Sequence, residues 1–320
     1  MKTTGLLISA FGLMVLAGGP VLADNETVAV FTKNQTNPFF ETVRVGTANA
    51  AKALGVKLIQ YIPIKPDSIP EQLSQVEDAI VKKPDAILFT PVDYKALIPA
   101  IDKVVAAKIP VIGMTDRPAG GQLVAFVGVD DHRLGLETSL NLFKAMGGKG
   151  NVIALEGVKG TLTSADRMRG FADALKQFPN IKLLASQPAN YQRLQALQVM
   201  ENLMQTYPQV DGVFAANDAM ATGVVEALAA ANRKALVVGI NGSKEAVDLI
   251  KAGKMHATGS SDPFMQGCLG LITTIRALRK MPVEKELMVT PVVIDADNYR
   301  QHDVPLESRS CPKIDAVAAK

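Results

Sequence analysis

Thr32-Lys33-Asn34-Gln35-Thr36-Asn37-Pro38-Phe39-Phe40 is the stretch on which the reading of this chain turns. Just upstream, Val28-Ala29-Val30-Phe31 is an apolar run of strand length. Downstream, a helical pattern runs over 38–54. Asn37 followed by Pro38 is a helix start: a side chain that caps free N–H groups, then a ring that presets φ at a position whose own N–H has no partner to lose. The loop therefore lies at the carboxyl end of a strand, the edge at which open α/β sheets bind ligands. Lys33, Asn37, Phe39 and Phe40 crowd into it. A cation and an amide can hydrogen-bond to hydroxyls, and an aromatic face can cover the C–H side of a ring. The plainer alternative makes Phe39 and Phe40 core residues of the helix, since one of two neighbours usually points inward.

Working outward, the same strand-then-helix unit recurs. Strands are expected over 56–62, 86–90, 111–115 and 125–129, with helices over 69–81, 94–107 and from Asp131 to about Met146. The pattern then starts again. Strands over 151–155, 181–186, 212–215, 236–240 and 256–259 alternate with helices over 163–178, 194–207, 219–231, from Ser243 to about 253, and 263–280. A last strand is expected over 287–294. Short β-branched runs between longer helical ones are the pattern of βαβ units building parallel sheets. Two such series predict an α/β fold of two similar Rossmann-like lobes. No Pro/Ser/Gly-rich linker separates them, so the connections are expected to be strands that cross between lobes.

The chain has 320 residues, room for one large or two medium domains. Lys plus Arg number 34 against 31 Asp plus Glu, so there is no basic excess of the kind nucleic-acid binders carry. The first residues read as an export signal: Lys2, an apolar core over 5–17, and the small-residue cleavage site Val21-Leu22-Ala23. Cleavage after Ala23 and residence in a bacterial periplasm are expected. The apolar stretch is short and Gly-rich for a permanent membrane helix, and no Cys follows it to take a lipid anchor. Cys268 and Cys311 are the two cysteines. An oxidising compartment would let them pair, but sequence leaves open whether they come within reach.

Polar residues fall repeatedly at expected strand ends: Lys33, Thr90, Asp116, Arg117, Asn217, Asn241 and Ser261. If both sheets turn their carboxyl edges to one cleft, these groups meet there. A small polyhydroxylated ligand needs acceptors and donors close together, because a buried hydroxyl left unpaired costs roughly 1–3 kcal/mol. Asp116 accepts, Arg117 and Arg169 donate in fixed forks, and Asn37, Asn217 and Asn241 do both. Phe40 and Tyr191 would sandwich the carbon skeleton. Each residue also has a structural alternative. Asp116-Arg117 could be a surface ion pair, Asn217 and Asn241 could be caps or turns, and Arg169 could be a solvated helix residue.

These residues resemble a family. Thr36-Asn37-Pro38-Phe39-Phe40, the run from Val111 to Arg117, Val127-Gly128-Val129-Asp130, Asp166-Arg167-Met168-Arg169-Gly170-Phe171, Ala185-Ser186-Gln187-Pro188-Ala189, the run from Val213 to Met220 and Val237-Val238-Gly239 are similar, in order and spacing, to the ribose-binding-like branch of the periplasmic sugar-binding proteins of ABC transporters. The resemblance covers nearly the whole mature chain. It implies a periplasmic binding protein type I fold: two lobes, a three-segment hinge, and a ligand trapped by closure and delivered to a membrane permease and its ATPase. The division implied is 1–23 signal peptide, 24–129 plus 262–293 one lobe, and 130–261 plus 294–320 the other. Ligand contacts are implied at Asn37, Phe39, Phe40, Asp116, Arg117, Arg169, Asn217 and Tyr191. Where ribose binders carry Ser, this chain has Lys33, as in allose-binding relatives. Where they carry Asn, Phe, Asp and Gln, it has Thr90, Tyr191, Asn241 and Ser261. The implied ligand is a monosaccharide of ribose or allose type, or a sugar alcohol, with a sugar acid as the alternative. A monomer without cofactor or metal is implied, and presentation of the sugar to a chemoreceptor is compatible.

Two other functional classes compete with this reading. An enzyme on this architecture would carry a motif such as G-x-G-x-x-G after a strand, G-x-x-x-x-G-K-[ST], G-x-S-x-G or H-E-x-x-H, and none occurs. His132, His256 and His302 are not spaced as metal ligands. A sugar-responsive repressor would place a DNA-binding helix-turn-helix where this chain has its export segment, so no nucleic-acid partner is expected.

Overall fold

A computed structural model describes residues 26–317, so the expected signal peptide lies outside the described residues. The first half of the chain forms β1 (Thr27–Phe31), α1 (Pro38–Leu54), β2 (Lys57–Tyr61), α2 (Ile69–Lys82), β3 (Ala86–Phe89), α3 (Ile98–Ala106), β4 (Val111–Met114), β5 (Ala125–Val129) and α4 (Asp131–Ala145). Then follow β6 (Lys149–Glu156), α5 (Leu162–Gln177), β7 (Asn180–Pro188), α6 (Arg193–Thr206), β8 (Gly212–Ala215), α7 (Asp218–Ala230), β9 (Leu236–Asn241), α8 (Lys244–Lys251), β10 (Ala257–Ser260), α9 (Pro263–Leu278), β11 (Glu286–Val289) and β12 (Val292–Asp295). α1 starts as read. Asn37 accepts from the Phe39 N–H, Pro38 opens the helix, and Gly55 closes it in the left-handed conformation. α3 begins later than 94, because Asp93 takes the Lys95 and Ala96 N–H groups into a turn first.

The strands make two six-stranded sheets, ordered β11-β5-β4-β3-β1-β2 and β12-β10-β9-β8-β6-β7. All pairings are parallel except β10 with β12. The central strands are buried along their length, as sheets covered by helices on both faces require. In each lobe glycine draws helices tightly together. A Cβ on Gly46 of α1 would stand 2.1 Å from the Phe264 carbonyl oxygen on α9, and one on Gly135 of α4 would stand 2.3 Å from the Arg167 carbonyl oxygen on α5.

Three crossings join the two sheets: β5 to α4 through Asp130, β10 to α9 through Ser261 and Asp262, and β11 to β12 through Thr290 and Pro291. The last crossing corrects the single strand expected over 287–294. Pro291 has no N–H for a ladder and breaks the run, and the two halves join different sheets. Cys268 and Cys311 are disulfide-bonded, with Cα atoms 5.4 Å apart. The chain after β12 first packs on the second lobe, where Asp303 pairs with Lys244 and Lys251, and its end then returns to the first lobe. Arg309 bonds both oxygens of Asp262, Arg276 donates to the Ile314 carbonyl, and Ile314 and Val317 pack on the cluster around Val28 and Val43. The division drawn from sequence assigned this tail to the second lobe.

Candidate functional site

A cavity lies between the lobes, at the carboxyl ends of both sheets. From the first lobe come Lys33 and Asn34 after β1, Asn37, Phe39 and Phe40 at the start of α1, Asp67 before α2, Thr115 and Asp116 after β4, and Gln266 on α9. From the second come Asp131 on α4, Thr163 and Arg167 on α5, Tyr191 before α6, Asn217 capping α7, and Asn241 ending β9. The common location follows from topology: every parallel strand ends on the same edge, and the three crossings turn the two edges toward each other.

Of the residues singled out in the sequence, Lys33, Asn37, Phe39, Phe40, Asp116, Tyr191, Asn217 and Asn241 are on this wall. Thr90, Arg117, Arg169 and Ser261 are not. Thr90 is buried behind it, donating to the Met114 carbonyl and accepting from the Thr115 hydroxyl. Arg117 pairs with Glu286, stacks over the Phe126 ring at 4.0 Å and faces an adjoining cleft. Ser261 is fully buried, and its Oγ has no hydrogen-bond partner. Arg169 leans on Asp166 at 2.9 Å with its side chain 60% exposed. Arg167 occupies the cavity instead. Two positions along a helix are rotated by about 200°, so the two arginines cannot share a face. A signal for this was present: Gly170 and Phe171, three and four residues on, are buried, and residues at those spacings lie on one side. Asp67 and Asp131 were missed because each reads locally as a turn or cap residue.

Arg167 is 4% exposed. Its Nε donates to Asp131 Oδ1 at 2.8 Å, its Nη1 donates to the Ala216 carbonyl at 2.7 Å, and its guanidinium lies 6.0 Å from the Tyr191 ring centre. Burial pushes the Asp131 carboxyl up to about 6, against the pull of Arg167. Burial also raises Asp67, opposed by Lys33 and Asn34, and raises the Tyr191 phenol. Lys33 pairs with Asp116 Oδ2, and both are buried. Asp116 Oδ1 accepts from the Thr163 hydroxyl at 2.8 Å and its N–H at 3.3 Å, which ties the lobes together across the cleft. Phe39 and Phe40 meet edge to face at 5.1 Å. Tyr191 stands in the left-handed region at φ 59°, its ring against Gly157. The Tyr191 hydroxyl and Gln266 Oε1 are buried without a hydrogen-bond partner.

The cavity thus holds two cations, Lys33 and Arg167, and three carboxylates, Asp67, Asp116 and Asp131. Each cation is already held by an aspartate. What remains is a dense set of hydroxyl-binding groups and two aromatic walls.

Residues 28–280 match the family described as a periplasmic binding protein domain. The chain is 34% identical over 298 residues to a ribose import binding protein of Haemophilus influenzae, covering 92% of this chain and 99% of that one. It is 36% identical over 257 residues to a D-apiose import binding protein of Paraburkholderia graminis, covering 79% and 80%. Among solved structures, an ABC transporter periplasmic solute binding protein from Actinobacillus succinogenes with bound D-allose superposes with a TM-score of 0.82 at 35% identity, over 86% of this chain and 99% of that one.

Proposed function

The chain belongs to the periplasmic binding protein family, and on that premise we propose that it is the substrate-binding component of an ABC-type importer for a neutral monosaccharide or sugar alcohol. The observation that carries the ligand class is the charge balance of the cavity. A sugar acid would bring an anion to a wall with three carboxylates, where neither Lys33 nor Arg167 is free to receive it. A neutral polyol asks only for hydrogen bonds. Asn37, whose oxygen caps α1, keeps its amide N–H groups, the Asn241 side chain lines the cavity, and the Tyr191 hydroxyl is buried without a hydrogen-bond partner. Phe40 and Tyr191 cover the apolar faces of the ring.

The protein works by binding and not by turnover. Hinge motion at the three crossings opens the cleft, and closure exchanges water for fitted bonds, including the Asp116–Thr163 contact between lobes. The closed form is what a membrane permease, coupled to an ATPase, recognises, and a chemoreceptor could read the same form. Export by the leader ending at Ala23 puts the protein in the periplasm, where the Cys268–Cys311 bond is stable. A thermal-shift screen tests the ligand class with D-ribose, D-allose, D-apiose, xylitol and myo-inositol beside the corresponding aldonates. A neutral ligand at 100 times its Kd adds about 2.7 kcal/mol of stability. Stabilisation by an aldonate alone, or by nothing in the set, would refute the reading.

A further inference from the structure

We propose that Gln266 is a specificity-determining residue of the cavity, its Oε1 accepting a hydrogen bond from one particular ligand hydroxyl. This rests on the sugar-or-polyol reading and adds to it a residue and an orientation. Gln266 lies in the first turns of α9, just past the second crossing, and its N–H bonds the Asp262 carbonyl at 3.0 Å. Side chains on a helix lean toward its N-terminus, so this one points back to the cleft. It is 1% exposed and forms part of the cavity wall.

Its amide is not free to turn over. Nε2 donates to the Ser261 carbonyl at 2.5 Å, and a carbonyl can only accept. The oxygen end is therefore the one presented to the ligand. That oxygen is buried and has no partner. Of the carboxylates on the wall, Asp116 is engaged by Lys33 and Thr163, and Asp131 Oδ1 by Arg167. Gln266 Oε1 is a fixed, neutral, unfilled acceptor, and a buried acceptor is satisfied by a donor that arrives with the ligand. The sequence placed the polar contact of this crossing on Ser261. In the structure Ser261 instead holds Gln266 in place from behind.

A site built to bond a hydroxyl rejects the analogue that lacks it. The test is isothermal calorimetry of the full mature chain with D-ribose, D-allose and xylitol and their mono-deoxy forms. For the wild type, removing the hydroxyl that faces Gln266 should weaken binding by about tenfold to a hundredfold. In Gln266→Met the parent ligand falls to that level. The penalty for deoxygenation then disappears at that carbon and persists at the others. Gln266→Asn, shorter by one methylene and still polar, should erase the same penalty, and it serves if the Met variant melts early. A variant that keeps the parent affinity, or keeps every deoxy penalty while losing affinity uniformly, overturns the assignment while leaving the carbohydrate reading intact. A wild type that binds none of the parents overturns that reading, and this one with it.

Discussion

Replacing Arg167 by methionine removes the charge but keeps most of the stem volume. The guanidinium is buried, and it neutralises Asp131 as well as filling the Ala216 carbonyl. Breaking one side of a buried ion pair leaves the other charge uncompensated, at a cost of about 3–5 kcal/mol. The loss depends on pH with a defined sign. Asp131 already stands at about 6 through burial, and without Arg167 it rises further. Below that range the carboxyl is protonated in the fold and needs no cation, so the penalty is small. Above it, the variant must bury an unpaired anion or hold a proton against the solvent, so the penalty grows as pH rises through about 6 and beyond. Urea unfolding of Arg167→Met against wild type at pH 5 and pH 8 should show the larger gap at pH 8. Adding Asp131→Asn should recover much of it, as residues in direct contact are strongly coupled. Ligand binding should be lost in the single variant at both pH values. Arg169→Met is the control. That side chain is exposed, and its pair with Asp166 is worth about 0–1 kcal/mol. Equal effects of the two arginine variants, or undiminished sugar binding by Arg167→Met, would refute the placement of Arg167 in the cavity.

Cys311→Ser opens a loop whose ends are 43 residues apart, which on chain-entropy grounds costs about 4 kcal/mol; melting curves with and without dithiothreitol should show wild type falling to the variant's midpoint, and an insensitive midpoint would contradict this. Gly157→Ala places a Cβ 2.1 Å from Tyr191 Cζ and must displace the ring, so ligand affinity should drop at least about tenfold while overpacking costs about 1–3 kcal/mol of stability; calorimetry returning wild-type affinity would show that Tyr191 is no wall of the site.

Most of the architecture was legible because its signals are local. The Asn37-Pro38 cap set the start of α1 to the residue, and strand-helix alternation gave the parallel sheets and the doubled lobe. Where a local rule was passed over, the reading failed: Pro291 marks the break that separates β11 from β12, yet an apolar run on either side reads as one strand. The site was legible only in part. Residues at strand ends converge whatever their neighbours do, and Lys33, Asp116, Asn217 and Asn241 were found that way. Arg117 also follows a strand end, but the chain bends at Thr115, which is left-handed at φ 61°, and at Asp116, and the next side chain turns away toward Glu286.

By itself the sequence determined the alternation of elements, the doubling of the lobe and the edge on which a ligand would sit, because capping, turn chemistry and hydrophobic period act within a few residues. Only the tertiary structure decided which arginine of α5 enters the cavity, that Gln266 and not Ser261 faces it, and that Cys268 reaches Cys311. Those outcomes depend on which side of an element meets the opposite lobe or the returning tail. That is settled by packing between segments far apart in the chain, where no short-range signal operates.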